Sequence, residues 1–184
     1  AYFREELRKK LPELRQIEGF PIGEDEDIIN LSDPPYYTAC PNPWLNDFIA
    51  EWEKEKVELE RQGKRSAEFE VNEPYASDVS EGKRNPIYNA HTYHTKVPHP
   101  AIMRYILHYT QPGDIVFDGF CGTGMTGVAA QLCSIEEEVL NLGENDVKIG
   151  IRHAICSDLS PIATFISSVY NKKNDCTSFI KKAE

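Results

Sequence analysis

The sequence lacks the features that mark three classes of protein. No apolar run approaches the roughly 20 residues that cross a bilayer, so we predict no membrane-spanning helix. The formal net charge is −10, which argues against a self-sufficient nucleic-acid-binding domain, because such domains carry a basic excess. The five cysteines are odd in number and form no C-x-x-C pair, so the sequence predicts neither a disulfide framework nor a zinc site.

The remaining composition is that of an ordinary globular protein. Apolar residues make up 40% and charged residues 27% of the chain, and 184 residues suffice for one domain with its own core. The charged N-terminus lacks the apolar stretch of a secretory signal, and the first residue is alanine rather than methionine. We therefore expect a piece of a longer cytoplasmic chain, folded as one domain over residues 1–184.

The spacing of apolar residues predicts alternating helices and strands. Helices are predicted over 1–18, 44–62, 99–110, 124–133 and 160–170, and strands over 28–32, 115–118 and 153–157. Residues 134–150 are predicted as an inserted loop, and residues 63–90 as a connection long enough to serve as a lid or recognition segment. This order predicts an α/β fold with a parallel sheet.

A glycine-rich loop follows the strand predicted at 115–118. The segment Ile115-Val-Phe-Asp-Gly-Phe-Cys-Gly-Thr-Gly-Met-Thr-Gly127 runs from an apolar strand through Asp118 into G-x-G-x-x-G. Such glycines let a ligand approach bare backbone, as nucleotide-like cofactors do. A dinucleotide site would place an acidic residue about 20 residues further on, but the next acidic strand end is Asp158. The pattern therefore favours a nucleotide-like ligand other than NAD, and Asp118 suits one that carries an ammonium group.

The segment from Thr110 to Thr126 resembles the S-adenosylmethionine-binding motif of amino-group DNA methyltransferases, which act on adenine N6 or cytosine N4. It departs from the family pattern mainly at Gly119 and Met125. The stretch around Lys96 resembles the family's Lys-Pro motif ahead of the loop. The stretch 156–161 resembles the acidic strand end that holds the ribose hydroxyls.

This resemblance implies a Rossmann-like methyltransferase fold, present here in part, whose cofactor-binding half covers residues 91–184. It implies S-adenosylmethionine as the cofactor. The residues that would hold it lie in three segments: His94, Thr95, Lys96, Asp118, Gly119, Phe120, Cys121, Gly122, Thr123, Gly124, Asp158 and Leu159. No metal site is expected, and the histidines at 91, 94 and 99 favour a structural or cofactor-contact role.

A second motif, Asp33-Pro-Pro-Tyr36, follows the strand predicted at 28–32. An exocyclic amine is a poor nucleophile because its lone pair is delocalised into the ring, so rigid acceptors aimed at its N–H groups would favour methyl transfer. The Asp33 carboxylate and the Pro34 carbonyl are such acceptors, Pro35 stiffens the loop, and Tyr36 is suited to stack on a flipped base. The motif matches the family's catalytic tetrapeptide. The same residues also fit a rigid proline turn, in which case a second such motif is expected after residue 184.

The sequence thus predicts an enzyme that transfers a methyl group from S-adenosylmethionine to an exocyclic amine in DNA, with adenine N6 preferred over cytosine N4. The resemblance suggests a restriction-modification or phage-defence setting. The expected partners are DNA, contacted largely through regions outside this chain, and the remainder of the parent chain, with no membrane. The alternative is a non-catalytic cofactor-binding or assembly module of a larger methylase, and the third candidate is a nicotinamide-dependent oxidoreductase.

Overall fold

The computed structural model describes residues 2–17, 20, 22–31, 44–76, 84–144 and 146–172. In these residues the elements, in chain order, are α1 (Tyr2–Leu14), α2 (Asp25–Leu31), α3 (Leu45–Arg61), α4 (Pro86–Asn89), α5 (His99–Tyr109), β1 (Ile115–Asp118), α6 (Met125–Leu132), α7 (Glu136–Asn141), β2 (His153–Cys156) and α8 (Pro161–Asn171). The strands pair in parallel, with Ile115 beside His153 and Asp118 beside Cys156. The predicted mixed helix–strand fold with a parallel sheet is therefore confirmed. No helix in this part of the chain is long and apolar enough to cross a membrane.

The strand predicted over residues 28–32 is wrong, because Asp25–Leu31 form helix α2. Three acidic residues occupy its first turn, where the helix dipole favours negative charge. Ile28 and Ile29 are buried against the leucines of α1 at positions 7, 11 and 14. A short apolar run does not by itself distinguish a strand from a buried helix, and here the acidic turn and the packing against α1 favour the helix.

The segment predicted as a loop over 134–150 also contains a helix, α7. Its single buried residue, Val139, packs into the main core. The core lies between the sheet and helices α5 and α6. Its buried members are Met103, Ile106, Leu107, Ala129, Ala130, Cys133 and Val139. Helices α6 and α7 thus form the crossover that parallel strands require.

Helix α3 packs at the amino ends of the two strands. The Trp52 ring stacks on His153 with centroids 4.5 Å apart, and Oε2 of Glu55 lies 2.7 Å from Nε2 of His153. Just after α3, Arg65 donates a 2.6 Å hydrogen bond to the carboxylate of Asp114, the residue before β1. The charged helix predicted from the sequence, α3, therefore packs against the end of the sheet that lies opposite the glycine loop.

Candidate functional site

Two carboxylates lie at the carboxyl ends of the paired strands. Asp118 is the last residue of β1, and Asp158 follows the end of β2 by two residues. Because β1 and β2 are parallel neighbours, both side chains lie at one edge of the sheet. This is the edge at which α/β proteins bind their ligands. Both residues are half-buried, so their carboxylates are shielded yet reachable.

Asp158 joins the glycine loop to helix α8. Its Oδ2 accepts a 2.8 Å hydrogen bond from the backbone N–H of Gly122, and its Oδ1 accepts a 2.9 Å bond from the N–H of Ser160. Ser160 in turn caps α8, as predicted, by accepting a bond from the N–H of Ala163. A carboxylate has about four acceptor positions, so Asp158 retains capacity for hydrogen bonds to a ligand.

Asp118 holds the other side of the loop. Its Oδ1 accepts a 3.1 Å hydrogen bond from the N–H of Phe120, and its Oδ2 accepts a 2.5 Å bond from the hydroxyl of Thr126 in the first turn of α6. Thr126 was missed as a site residue, although it lies within the glycine pattern, directly before Gly127. Asp118 therefore holds the start of the loop and the helix that follows it, and Asp158 holds the middle of the loop.

The loop itself contains the six residues predicted from the sequence: Gly119, Phe120, Cys121, Gly122, Thr123 and Gly124. Gly122 and Gly124 have φ values of +52° and +77°, a region that side chains make costly. A Cβ at residue 124 would lie 2.1 Å from the hydroxyl oxygen of Ser167 in α8. The amide of Asn171, also in α8, donates a 3.0 Å bond to the carbonyl of Gly124. Helix α8 thus packs against the loop at Gly124 and holds its backbone in place.

Three side chains at the loop have the character of ligand contacts. Thr123 is only 1% exposed, and within the described part of the chain its hydroxyl has no hydrogen-bond partner. Buried hydroxyls are normally paired, so this oxygen marks a place for a polar ligand atom or a water. Phe120 and Leu159 are 83% and 91% exposed and follow closely after the two aspartates, where they offer apolar contact to a flat ring.

The segment predicted ahead of the loop reaches it through Tyr93. The ring of Tyr93 would lie 3.4 Å from a Cβ at Gly122, so the two residues are in close contact. Sequence reasoning missed Tyr93, although it stands directly before the predicted site residue His94. His94 and Thr95 are exposed. The ammonium of Lys96 donates hydrogen bonds to the carbonyls of Tyr88 and His91, which holds the preceding turn.

The predicted catalytic residues Asp33, Pro34, Pro35 and Tyr36 lie outside the residues that the structure describes. The nearest described element before them is helix α2, which ends at Leu31. The expectation that a strand leads into this motif is therefore wrong. The catalytic role of the motif stays a prediction.

Histidines near the site do not form a metal centre in the described residues, where no three His, Cys, Asp or Glu side chains are grouped to hold an ion. The ring of His91 packs edge-on against Tyr170, with centroids 4.9 Å apart. Burial, followed by the charge of Lys96, lowers the pKa of His91. This imidazole is therefore neutral near pH 7.

Comparison with protein families establishes the relationship of the chain. The N6/N4 methyltransferase family model, described as DNA methylase, matches residues 24–152. The chain belongs to this family of DNA methyltransferases. The methylase match includes the motif at 33–36, the segment at 94–96 and the glycine loop, whereas Asp158 and Leu159 lie beyond its end. Comparisons with curated proteins and with solved structures gave no match.

Proposed function

We propose that this chain binds S-adenosylmethionine and serves methyl transfer to an exocyclic amino group in DNA, at adenine N6 rather than cytosine N4. The observation that carries the proposal is the glycine loop fixed between Asp118 and Asp158 at adjacent parallel strand ends, in a member of a DNA methylase family. We further propose that β1, α6, α7 and β2 are the first part of a Rossmann-like methyltransferase sheet.

The residues at the loop fit this cofactor. Asp158 can accept hydrogen bonds from ribose hydroxyls while it holds the loop, and Asp118 can accept from the ammonium group of the methionine portion. Phe120 and Leu159 offer apolar contact to the adenine ring, and the Thr123 hydroxyl can pair with a polar ligand atom. When bound, S-adenosylmethionine supplies an electrophilic methyl group on a positively charged sulfur.

The remaining loop residues, Gly119, Cys121, Gly122 and Gly124, contribute backbone rather than side-chain contacts on this proposal. His94, Thr95 and Lys96 border the side of the loop that Tyr93 contacts. Through that segment they would close the methionine end of the site. The thiols at positions 121, 133 and 156 are free, which fits a reducing cytoplasm.

Asp33, Pro34, Pro35 and Tyr36 are the proposed catalytic residues. The carboxylate of Asp33 and the carbonyl of Pro34 would accept the two amine hydrogens, which frees the nitrogen lone pair for attack. Pro35 would keep these acceptors rigid, and Tyr36 would stack on the flipped base. A restriction-modification or phage-defence setting is the proposed context. The alternative is a cofactor-binding module whose parent chain carries the catalytic motif elsewhere.

Binding calorimetry with S-adenosylmethionine and with NAD tests the cofactor. We expect S-adenosylmethionine to bind, Asp158→Ala to weaken binding, and Asp146→Asn, a change at an exposed acidic residue, to leave it unchanged. Binding of NAD without binding of S-adenosylmethionine would contradict the proposal.

Methyl incorporation into DNA by the parent chain tests the catalytic motif. We expect Asp33→Ala to abolish incorporation, while Asp27→Ala, in the exposed first turn of α2, retains it. Full activity of Asp33→Ala would favour the alternative, in which the motif at 33–36 is a proline turn.

A further inference from the structure

Two thiols from different segments meet beside the glycine loop. Cys121 lies in the loop and is buried, and Cys156 is the last residue of β2. The backbone N–H of Cys121 donates a 2.9 Å hydrogen bond to the carbonyl of Ser157, which keeps the two cysteines adjacent. When Cys121 ionises, the thiol of Cys156 stabilises its sulfur by a hydrogen bond. The two residues therefore form a neighbouring pair of thiols.

The two sulfurs differ in reactivity. The hydrogen bond from Cys156 lowers the pKa of Cys121, whereas the same contact and burial raise the pKa of Cys156. Cys121 is therefore the better nucleophile of the pair. Cys133 provides a contrast, because it is fully buried in the core and burial raises its pKa to about 11.

We propose that Cys121 and Cys156 form a reversible disulfide that closes the methyl-donor site under oxidising conditions. The closing effect rests on the proposed function, whereas disulfide formation does not. The Cys121 thiolate attacks a peroxide, the O–O bond breaks, and Cys121 becomes a sulfenic acid as one water leaves. The Cys156 thiol then attacks that sulfur, loses its proton and expels a second water. Two thiols are oxidised and one peroxide is reduced to two waters.

The disulfide would alter the loop because its two sulfurs must approach to about 2.05 Å. Cys121 is flanked by Phe120 and Gly122, whose N–H groups are held by Asp118 and Asp158. A shift at Cys121 therefore disturbs both anchors. We expect oxidation to weaken S-adenosylmethionine binding about tenfold or more.

Disulfide mapping tests the bond itself. The reduced protein is treated with hydrogen peroxide, remaining thiols are alkylated, and a non-reducing digest is analysed by mass spectrometry. We expect a linked peptide pair that contains Cys121 and Cys156 and disappears after treatment with dithiothreitol. Absence of this pair, or linkage of Cys133 instead, would overturn the proposal.

Calorimetry with reduced, oxidised and re-reduced protein tests the effect on the site. Cys156→Ala is expected to bind S-adenosylmethionine as the reduced wild type does and to lose the sensitivity to peroxide, whereas Cys133→Ala keeps it. Unchanged binding by mapped, oxidised protein overturns the closing effect. If the reduced wild type does not bind S-adenosylmethionine, both the proposed function and the closing effect are overturned. If it binds S-adenosylmethionine but gives no linked peptide after oxidation, only the disulfide is overturned.

Discussion

The backbone N–H of Gly122 donates a 2.8 Å hydrogen bond to the carboxylate of Asp158, across 36 residues of sequence. The end of the second strand thereby fixes the loop that follows the first. Asp158 consequently has two tasks, because the carboxylate proposed to hold the ribose also orders the backbone around Cys121 and Gly122. Changes at this residue should affect stability and binding together.

Asp158→Ala is expected to weaken S-adenosylmethionine binding about 10- to 100-fold, since hydrogen bonds to a charged group are worth about 1.5–3 kcal/mol each. Asp158→Asn keeps one acceptor oxygen and should lose less affinity for S-adenosylmethionine. Calorimetry measures both variants against Asp146→Asn, which removes the same charge from an exposed site at φ 60°. Affinity equal to that of Asp146→Asn would disprove the assignment.

Thr126→Val removes the hydroxyl that donates the 2.5 Å bond to Asp118. We expect a loss of about 1–2 kcal/mol in the free energy of unfolding, because the half-buried carboxylate loses a partner. Thr126→Ser should retain most of the stability. Urea unfolding measures the effect. The matched control is Thr164→Val, whose hydroxyl, within the described residues, bonds only to carbonyls of its own helix and of the cap before it. Equal losses in the free energy of unfolding at both positions would contradict a special role for Thr126.

Gly124→Ala combines backbone strain with a collision against α8. Gly143 has a similar φ of +71°, but a Cβ there would have no atom within 4 Å, so Gly143→Ala reports the strain alone, about 1 kcal/mol. The contact with Ser167 should raise the loss at Gly124 to about 3 kcal/mol. Urea unfolding measures the free energy of unfolding of both variants. Similar losses for Gly124→Ala and Gly143→Ala would show that α8 moves away from the added methyl group at little cost.

His91→Phe should reduce the dependence of stability on pH. The folded-state pKa of His91 is lowered from 6.5 by burial and by Lys96, so the unfolded chain binds this proton more readily. The contribution of neutral His91 to the free energy of unfolding is therefore present above pH 6.5. It is lost as the pH falls from 6.5 towards the lowered pKa of the folded state. Urea unfolding between pH 7.5 and 5.5 should therefore show a steeper loss for the wild type than for His91→Phe, and parallel curves would refute this.

Elements with strong local signals could be predicted from the sequence. Ser160 and Pro161 begin α8 as expected, and the glycine pattern places the turn between β1 and α6. Helices α2 and α7 could not be predicted in this way. Each depends on one or two apolar residues, such as Ile29 and Val139, that are buried against distant parts of the chain.

The arrangement of residues at the candidate site was predictable from the sequence to the same extent. Asp118 and Asp158 were recognisable because each follows a short apolar strand. Tyr93, Ser167 and Asn171 were not, since their contacts with the loop join segments that only the folded chain brings together.

The position of α3 has an electrostatic consequence for the approach of DNA. This helix carries more acidic than basic residues, and it covers the amino ends of the strands. Helix α6 runs from the glycine loop back towards the amino ends of the strands. The three glutamates in the first turn of α7, which follow it, therefore lie on that side as well. A polyanion is therefore repelled by these side chains at the end of the sheet remote from Asp118 and Asp158, within a screening distance of about 10 Å at 0.1 M salt. On the proposed function, this repulsion disfavours the approach of DNA to the end of the sheet opposite the proposed cofactor edge.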